Sequence, residues 1–143
     1  MRRTVPFVLA SVVLFSASAA AQVEFRPGAN QVGPFSEAVR VGDLLFLSGV
    51  IGTDSAGKLV SGGIKAETRQ ALENIRAVLK RNGLGMDRVV KCTAFLADIA
   101  EWPAMNEVYA TFFPGSKPAR SALGGVQLVR QARMEIECMA AMR

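Results

Sequence analysis

The spacing of apolar residues predicts two amphipathic helices. Across residues 64–82, apolar side chains recur every three or four positions, which is the period that gives a helix one buried face. Basic residues followed by Asn82-Gly83 predict a left-handed cap at its end. A second helix is predicted over residues 102–113, where Pro103 falls in the first turn and its missing N–H is not needed.

Apolar runs and alternating patterns predict the strands. Two short strands are expected on either side of a turn at Gly42-Asp43. The run over residues 44–52 is apolar almost throughout, which predicts a strand covered on both faces. By contrast, the segment over residues 22–31 is polar and contains proline and glycine, so it is interpreted as an irregular lead-in rather than a strand.

Three further strands are predicted over residues 87–98, 119–129 and 132–142. In the first of them, simple alternation places Val90 on the same side as Cys92. In the second, the two adjacent glycines at positions 124 and 125 are interpreted as a bulge within the strand. In the third, one face is apolar and the other begins with charged residues, as expected when only one face meets the core.

The predicted order is β-β-β-α-β-α-β-β, which favours an α+β fold with a single mixed sheet and both helices packed on one face. Strands joined by a helix should run parallel through right-handed crossovers. The second face of the sheet would carry Thr93, Phe95, Met139 and Ala141 beside charged residues. An apolar face of this kind on a small domain predicts self-association with closed symmetry.

The first 21 residues resemble an export signal rather than part of the fold. Arg2 and Arg3 precede an apolar run of about a dozen residues, which is shorter than a membrane span of about 20, and then come small residues. Cleavage is expected after Ala21, giving a signal peptide at residues 1–21 and one domain at residues 22–143 in the periplasm or outside the cell. The alternative is an uncleaved N-terminal anchor.

Composition narrows the chemistry. The chain has 143 residues, no histidine and two cysteines, which removes histidine-activated nucleophiles and leaves too few ligands for a zinc or iron–sulfur site. The formal charge of +5 falls to +3 without the leader, so nucleic-acid binding gains little support. Cys92 and Cys138 fall within predicted strands, which favours buried free thiols, although a disulfide remains open in an oxidising compartment.

Five side chains are candidates for a site. Arg120 follows Pro118, which fixes the backbone, and its guanidinium has paired donors that match a carboxylate; the alternative is a surface arginine. Glu135 could orient or deprotonate a water, or it could be a structural ion-pair partner. Ser48, Asn106 and Phe35 are weaker candidates, because strand-end serines, exposed helix amides and core or lid aromatics are common without any function.

Taken in order, several stretches of the chain resemble blocks of the RidA/YjgF family of enamine/imine deaminases. The most specific part is "PARS" followed, fifteen residues beyond its arginine, by "EIE". The blocks extend from about Gly28 to Met142. They are "GPFSEAV", "LLFLSGVIG", "RQALENIRAVLKRNGLGMDRVVKCTAFLAD", "MNEVYATFF", "PARSALGGVQL" and "MEIECMAAM".

The resemblance implies a chorismate-mutase-like fold and a homotrimer. The sheets of the trimer would form a central barrel, with three ligand clefts between subunits. It further implies that Arg120 holds a substrate carboxylate and that Glu135 positions the hydrolytic water. Ser48 and Asn106 match polar cleft positions of the family, and Phe35 matches a position often held by tyrosine.

The implied reaction is hydrolysis of a 2-imino acid, formed from an enamine such as 2-aminoacrylate, to a 2-keto acid and ammonia, with no metal or cofactor. Ser121 and Ala122, which follow the arginine, are expected beside the substrate. Ala122 departs from the cysteine common in relatives, and Phe35 lacks the tyrosine hydroxyl. The open alternatives are a trimer that binds small carboxylates without turnover, an RNA-cleaving enzyme, and a holdase activated by oxidation.

Overall fold

The computed structural model describes residues 22–28 and 33–143, and over these residues seven strands form one mixed sheet. Two α-helices and three short 3-10 turns connect the strands. The strands are β1 Val23–Arg26, β2 Ala38–Val41, β3 Leu44–Leu47, β4 Val50–Ile51, β5 Val89–Leu96, β6 Ala119–Leu123 and β7 Met134–Ala141. The helices are α1 Gly63–Arg81 and α2 Trp102–Phe112, and the 3-10 turns are Met86–Arg88, Ile99–Glu101 and Val129–Gln131.

The sheet order is β1-β2-β3-β7-β5-β6, with β4 pairing on β7 after β3 ends. β5 and β6 run parallel, and they are joined by α2, so the prediction that helix-linked strands run parallel is confirmed for this pair. The other pairings are antiparallel. Both helices pack on one face of the sheet, which confirms the predicted α+β class.

The core lies between the two helices and the sheet face beneath them. Both helices end within one residue of the predicted bounds, because the buried stripe of each extends to its last turn. At the end of α1 the backbone closes with Leu84 N donating to Leu79 O at 2.9 Å, and Gly83 takes a φ of +74°, as expected for a glycine cap. The large side chains that are fully buried in the core include Leu45, Leu72, Ile75, Leu79, Leu96, Met105, Met134 and Ile136.

A buried carboxylate joins α1 to the start of β7. Glu67 is only 4% exposed, and its Oε2 accepts a hydrogen bond from Arg133 N at 2.8 Å. This bond satisfies a group that would be costly to bury alone. It fixes the position of the strand that carries Glu135 relative to the helix.

The interpretation of residues 22–31 as an irregular lead-in is wrong for its first part, which forms β1. β1 pairs antiparallel with β2, from Val23 opposite Val41 to Arg26 opposite Ala38. Phe25 is 69% exposed, so β1 contributes no apolar alternation toward the core. Val23 and Phe25 do alternate with charged residues, but a run of four is at the lower limit of the length that identifies a strand.

Simple alternation is also wrong at Val90, which is 42% exposed. Val89 pairs with Ala140 while Lys91 pairs with Met139, so two steps on β5 match one step on β7. The extra residue makes Val90 a bulge and places Val89 in the core instead. Bulges of this kind cannot be inferred from a period-two pattern, because the partner strand determines them.

Two other strand predictions are corrected. β3 is not covered on both faces of this chain, because Leu45 and Leu47 are buried while Leu44 and Phe46 are 38% and 39% exposed. The glycine pair at positions 124–125 lies beyond the end of β6, not within a strand. A β-carbon at Gly124 would lie 2.4 Å from Ile99 Cβ, so close packing against the turn before α2 explains a glycine there.

The sheet face opposite the helices carries a partly exposed apolar surface, as the sequence predicted. Leu44, Phe46 and Leu123 are exposed on it, and Phe95 and Met139 are half-buried. Its apolar side chains come from β3, β7, β5 and β6 and lie beside charged ones, as is typical of a surface that meets another subunit.

Cys92 and Cys138 form a disulfide, so the expectation of two free thiols is wrong. The two residues are direct cross-strand partners on β5 and β7, and their Cα atoms lie 4.1 Å apart. The bridge therefore links the two central strands. Disulfides are typical of oxidising compartments, which is compatible with the predicted export.

The predicted signal peptide at residues 1–21 and the predicted cleavage after Ala21 lie outside the described residues. Within the described ranges, no helix combines the length and the apolar character required to cross a bilayer.

We predict that Gly52→Ala destabilises the protein by about 1–3 kcal/mol, as expected for overpacking. A β-carbon at Gly52 would lie 2.6 Å from the Cα and carbonyl oxygen of Glu67, and helix backbone cannot move aside locally. The measurement is the free energy of unfolding in denaturant. The control is Gly115→Ala, where nothing lies within 4 Å of the added carbon; equal stability of the two variants would contradict the prediction.

Candidate functional site

Arg120 lies on β6 and faces the helices. It is in register with the buried Cys92 of the parallel strand β5, and alternation therefore directs its side chain toward α2. Its Nη2 donates a hydrogen bond to Oδ1 of Asn106 at 2.8 Å. Two residues predicted separately from the sequence are thus in direct contact.

Aromatic rings on α2 also support the Arg120 guanidinium. Its central carbon lies 4.4 Å from the ring centroid of Tyr109 and 5.5 Å from that of Trp102, within the range of a cation–π contact. Asn106 and Tyr109 are three residues apart on the helix and therefore share a face. Tyr109 was not among the site residues predicted from the sequence, although its spacing of three residues from Asn106 was an available signal.

The environment of Arg120 is enclosed and incompletely bonded. Its Nη1 and the Tyr109 hydroxyl are both buried without a hydrogen-bond partner in the described chain. Burial raises the pKa of the Tyr109 phenol above its ordinary value, and the charge of Arg120 partly opposes that shift. A cavity of about 280 Å³ adjoins the pair, and its lining includes Lys117, Pro118 and Phe113.

Glu135 lies on β7 and faces away from the core, since its neighbours Met134 and Ile136 are completely buried on the other side. It borders a cavity of about 530 Å³ together with Phe35 and Ser48. Three of the residues predicted for the site are therefore brought together here. The cavity is also lined by Gly49, Val50, Ile51, Thr53, Gly57, Asn74, Val129 and Arg130.

A slip in strand register brings Ser48 and Gly49 against Glu135. Phe46 pairs with Met139, but Val50 pairs with Ile136, so one extra residue is accommodated between β3 and β4. A β-carbon at Gly49 would lie 2.1 Å from Glu135 Oε1, and only glycine permits this approach. Ser48 Oγ donates to Ser36 O at 2.6 Å, which fixes its side chain.

Arg130 also lines this cavity, although it was not among the site residues predicted from the sequence. It lies on the 3-10 turn before β7 and donates a hydrogen bond to Gly57 O. Arg130 and Gln131 both have a φ of 57°, a left-handed conformation that is uncommon for such residues. No sequence signal indicates this backbone, because neither residue is a glycine or an asparagine.

Arg120 and Glu135 do not meet within one chain. They are directed to opposite faces of the sheet, and β6 and β7 are separated by β5, a distance of about 10 Å across two strand spacings. Ser121 faces the side opposite Arg120, where its Oγ accepts from Lys91 Nζ at 2.7 Å. Ala122 is half-buried beside Ala94. The predicted site is therefore divided into an Arg120–Asn106 group and a Glu135–Ser48–Phe35 group.

Among the residues that the structure describes, no group of three or more histidine, cysteine, aspartate or glutamate side chains is arranged to hold a metal ion. The two residue groups supply the Arg120 guanidinium, the Glu135 carboxylate, and hydroxyl and amide groups, and Arg130 adds a second guanidinium to the Glu135 cavity.

Comparison with known proteins places this geometry in a family. A family model described as Endoribonuclease L-PSP matches residues 26–142. A Mus musculus protein named 2-iminobutanoate/2-iminopropanoate deaminase is 44% identical over 110 residues, covering 76% of this chain and 82% of its own length. The chain is a member of the RidA/YjgF family. The Arabidopsis thaliana Reactive Intermediate Deaminase A, a chloroplast protein, is 43% identical over 110 residues, with 76% of this chain and 59% of the plant protein covered.

Solved structures of this family share the fold. The crystal structure of YEO7_yeast has a TM-score of 0.76 and 40% identity, and the match covers 87% of this chain and 98% of the yeast chain. The structure of E. coli TdcF with bound serine has a TM-score of 0.73 and 29% identity, with 85% and 97% covered. RidA/YjgF membership therefore extends to the three-dimensional arrangement of the described residues.

We predict that the phenol of Tyr109 titrates above its ordinary pKa of about 10. The chain has one tyrosine, so ultraviolet absorbance of phenolate reports on this side chain alone. Arg120→Met, which keeps the bulk and removes the charge, should raise the pKa further, because Arg120 opposes the effect of burial.

The same shift predicts how stability depends on pH. The pKa of the Tyr109 phenol is higher in the folded protein than in the unfolded chain. The protonated phenol therefore contributes fully to the free energy of unfolding below pH of about 10, and this contribution is lost as the pH rises through the folded-state pKa. A phenol that titrates at or below the ordinary value in the folded wild-type protein would contradict the assignment.

Proposed function

We propose that this protein hydrolyses 2-imino acids to 2-keto acids and ammonia, and that it acts as a homotrimer with clefts between subunits. Relatives named as imine or reactive-intermediate deaminases are 43–44% identical to it over most of the chain. These names indicate the reaction class, and the two residue groups described above suggest how the reaction is divided between chains.

The observation that carries the proposal is the separation of Arg120 from Glu135 onto opposite sheet faces. Arg120 is suited to binding a substrate carboxylate and Glu135 to positioning a water. Both side chains must reach the same small substrate molecule for the reaction to occur. Both groups border open cavities in one chain. A cleft formed by Arg120 of one subunit and Glu135 of the next would bring them together, and closed symmetry would repeat it.

Arg120 would bind the carboxylate of the substrate. Its Nη2 is held by Asn106 and its plane is supported by Tyr109, so the guanidinium is oriented before a ligand arrives. Nη1 has no partner in the described chain and remains available for a carboxylate oxygen after a small movement. Preorganised donors cost less entropy on binding than mobile ones. The similar E. coli protein TdcF has been solved with bound serine, a small molecule that carries a carboxylate, and this supports the assignment.

Glu135 would position and activate the attacking water. The water oxygen forms a bond to the imine carbon and the C=N π pair moves to nitrogen, while one water proton passes through Glu135 to that nitrogen and gives a neutral carbinolamine. The carbinolamine hydroxyl then passes its proton to nitrogen, again through Glu135, the oxygen forms the C=O bond, and the C–N bond breaks to release ammonia and leave Glu135 ionised. Glu135 lies beside Gly49, where the absence of a side chain leaves room for the carboxylate.

The remaining predicted residues would form the walls of the cleft. Ser48 donates its hydroxyl proton to Ser36 O, so its oxygen can accept a hydrogen bond from the imine N–H. Phe35 is exposed at the edge of the Glu135 cavity and would cover the substrate without the hydroxyl of tyrosine. Ala122 can offer only its backbone, and Ser121 points to the opposite face, toward Lys91.

We predict that Arg120→Ala lowers kcat/KM for 2-iminopropanoate at least about tenfold, since a hydrogen bond to a charged group contributes about 1.5–3 kcal/mol. The imine is generated from alanine by an amino-acid oxidase, and pyruvate formation is timed against spontaneous hydrolysis. Arg69→Ala is the matched control, because Arg69 is exposed on α1 and borders neither cavity. Wild-type protein that binds 2-ketobutyrate but does not accelerate hydrolysis would favour a binding module instead.

Mixed oligomers test the division between subunits. Homotrimers of Arg120→Ala and of Glu135→Gln should each be nearly inactive. When equal amounts are refolded together, about a quarter of the clefts should combine an intact Arg120 with an intact Glu135, so about a quarter of wild-type activity should return. The double variant refolded with Glu135→Gln is the control, since no cleft then contains Arg120 and Glu135 together. If mixed trimers fold but activity does not return, Arg120 and Glu135 do not act in a cleft shared by two subunits.

A further inference from the structure

Arg130 is the one strong cation on the Glu135 cavity wall that the proposed reaction does not use. The cavity is lined by Arg130 and Glu135 together, and among the described residues Arg130 forms its hydrogen bond to a backbone carbonyl, that of Gly57. Imine hydrolysis needs one group that binds the substrate carboxylate and one that positions the water, and these roles are assigned to Arg120 and Glu135. We therefore ask which part of a ligand the Arg130 guanidinium would bind.

The backbone beneath Arg130 is held in an unfavourable conformation. Arg130 and Gln131 both adopt a φ of 57°. This conformation is unfavourable for any residue that has a β-carbon, so other interactions in the fold must offset its free-energy cost. Strained positions of this kind concentrate at ligand sites, where they aim a side chain in a fixed direction. Arg130 combines such a backbone conformation with a place in the lining of the cavity.

The anchor of the Arg130 side chain is itself fixed. Gly57 lies in a turn closed by Asp54, whose Oδ1 accepts from Ala56 N at 3.0 Å and from Lys58 N at 2.9 Å. The bond from Arg130 Nη1 to Gly57 O thus ties the side chain to an ordered loop. A guanidinium has five N–H donors, so this single bond leaves a paired edge free for a carboxylate.

In a single chain the cavity is larger than the smallest substrates require. It measures about 530 Å³, and a three-carbon imino acid has the bulk of only a few water molecules of about 30 Å³ each. With the α-carboxylate held by Arg120 of the neighbouring subunit and the imine carbon beside Glu135, the substrate side chain would extend along the wall that carries Arg130.

We propose that Arg130 is a specificity-determining residue that binds a second carboxylate, so that the preferred substrates are 2-imino dicarboxylic acids with four or five carbons. This inference rests on the proposed function. An acidic side chain would otherwise be repelled by Glu135, and Arg130 offsets that repulsion in the same cavity. An apolar or small side chain would gain nothing from the guanidinium, so selectivity follows from charge.

The test compares two imines in the trimeric protein. Iminosuccinate is generated from aspartate and 2-iminopropanoate from alanine by amino-acid oxidases, and the oxaloacetate and pyruvate formed are reduced by malate and lactate dehydrogenase with NADH. We expect Arg130→Gln to lower the ratio of kcat/KM for iminosuccinate to that for iminopropanoate at least about tenfold, chiefly through KM. Arg130→Lys should recover part of the ratio, because lysine keeps the positive charge but lacks the paired N–H donors of the guanidinium.

The matched control is Arg133→Gln. Arg133 lies three residues further along the same segment, pairs with Glu101 and does not line the cavity, so its loss should leave the ratio unchanged. If Arg130→Gln lowers both activities equally, or if its only effect is on the free energy of unfolding, Arg130 is a structural clamp and the inference is overturned.

A binding measurement separates this inference from the proposed function. Calorimetry with 2-ketoglutarate and 2-ketobutyrate needs no turnover; we expect wild-type protein to favour the dicarboxylate and Arg130→Gln to lose that preference. Wild-type protein that fails to hydrolyse either imine but shows this preference would overturn the deaminase proposal alone. Hydrolysis of iminopropanoate without any preference for the dicarboxylate would overturn the role of Arg130 alone.

Discussion

The two-residue alternation of the central strands is the constraint on which the rest of the structure depends. β7 is bordered by β3 and β4 on one side and by β5 on the other, and its residues alternate between complete burial and partial exposure. Met134 and Ile136 anchor the strand to the core. Glu135, between them, is therefore directed away from the helices. The same rule on β6 turns Arg120 toward α2.

This alternation places Arg120 and Glu135 on opposite faces of the sheet in one subunit, so under the proposed function the site is completed between subunits. The helix-free face has exposed apolar side chains, among them Phe46 and Leu123. If copies of the chain associate through that face, burial of apolar area supplies the association free energy, and the catalytic groups meet as a consequence. Stability of the assembly and completeness of the site would then have the same physical origin.

Local departures from regular structure shape the Glu135 cavity. The register slip between β3 and β4 admits Gly49 beside the carboxylate, and Arg130, which has a left-handed backbone, lines the same space. On the other half, Asn106 and Tyr109 hold Arg120 through one turn of α2. In each case an irregular or specially placed backbone limits the freedom of one charged side chain.

The sequence by itself determined the helices, most strands and the parallel pairing of β5 with β6, because burial periodicity and chain connectivity are local properties. It also indicated Arg120 and Glu135 through their spacing and family resemblance. Only the tertiary structure decided β1, the bulge at Val90, the disulfide between Cys92 and Cys138, and the inclusion of Arg130 in the cavity. Each of these depends on which residue of another segment lies opposite, and that pairing is set by strand register across the sheet rather than by neighbours along the chain.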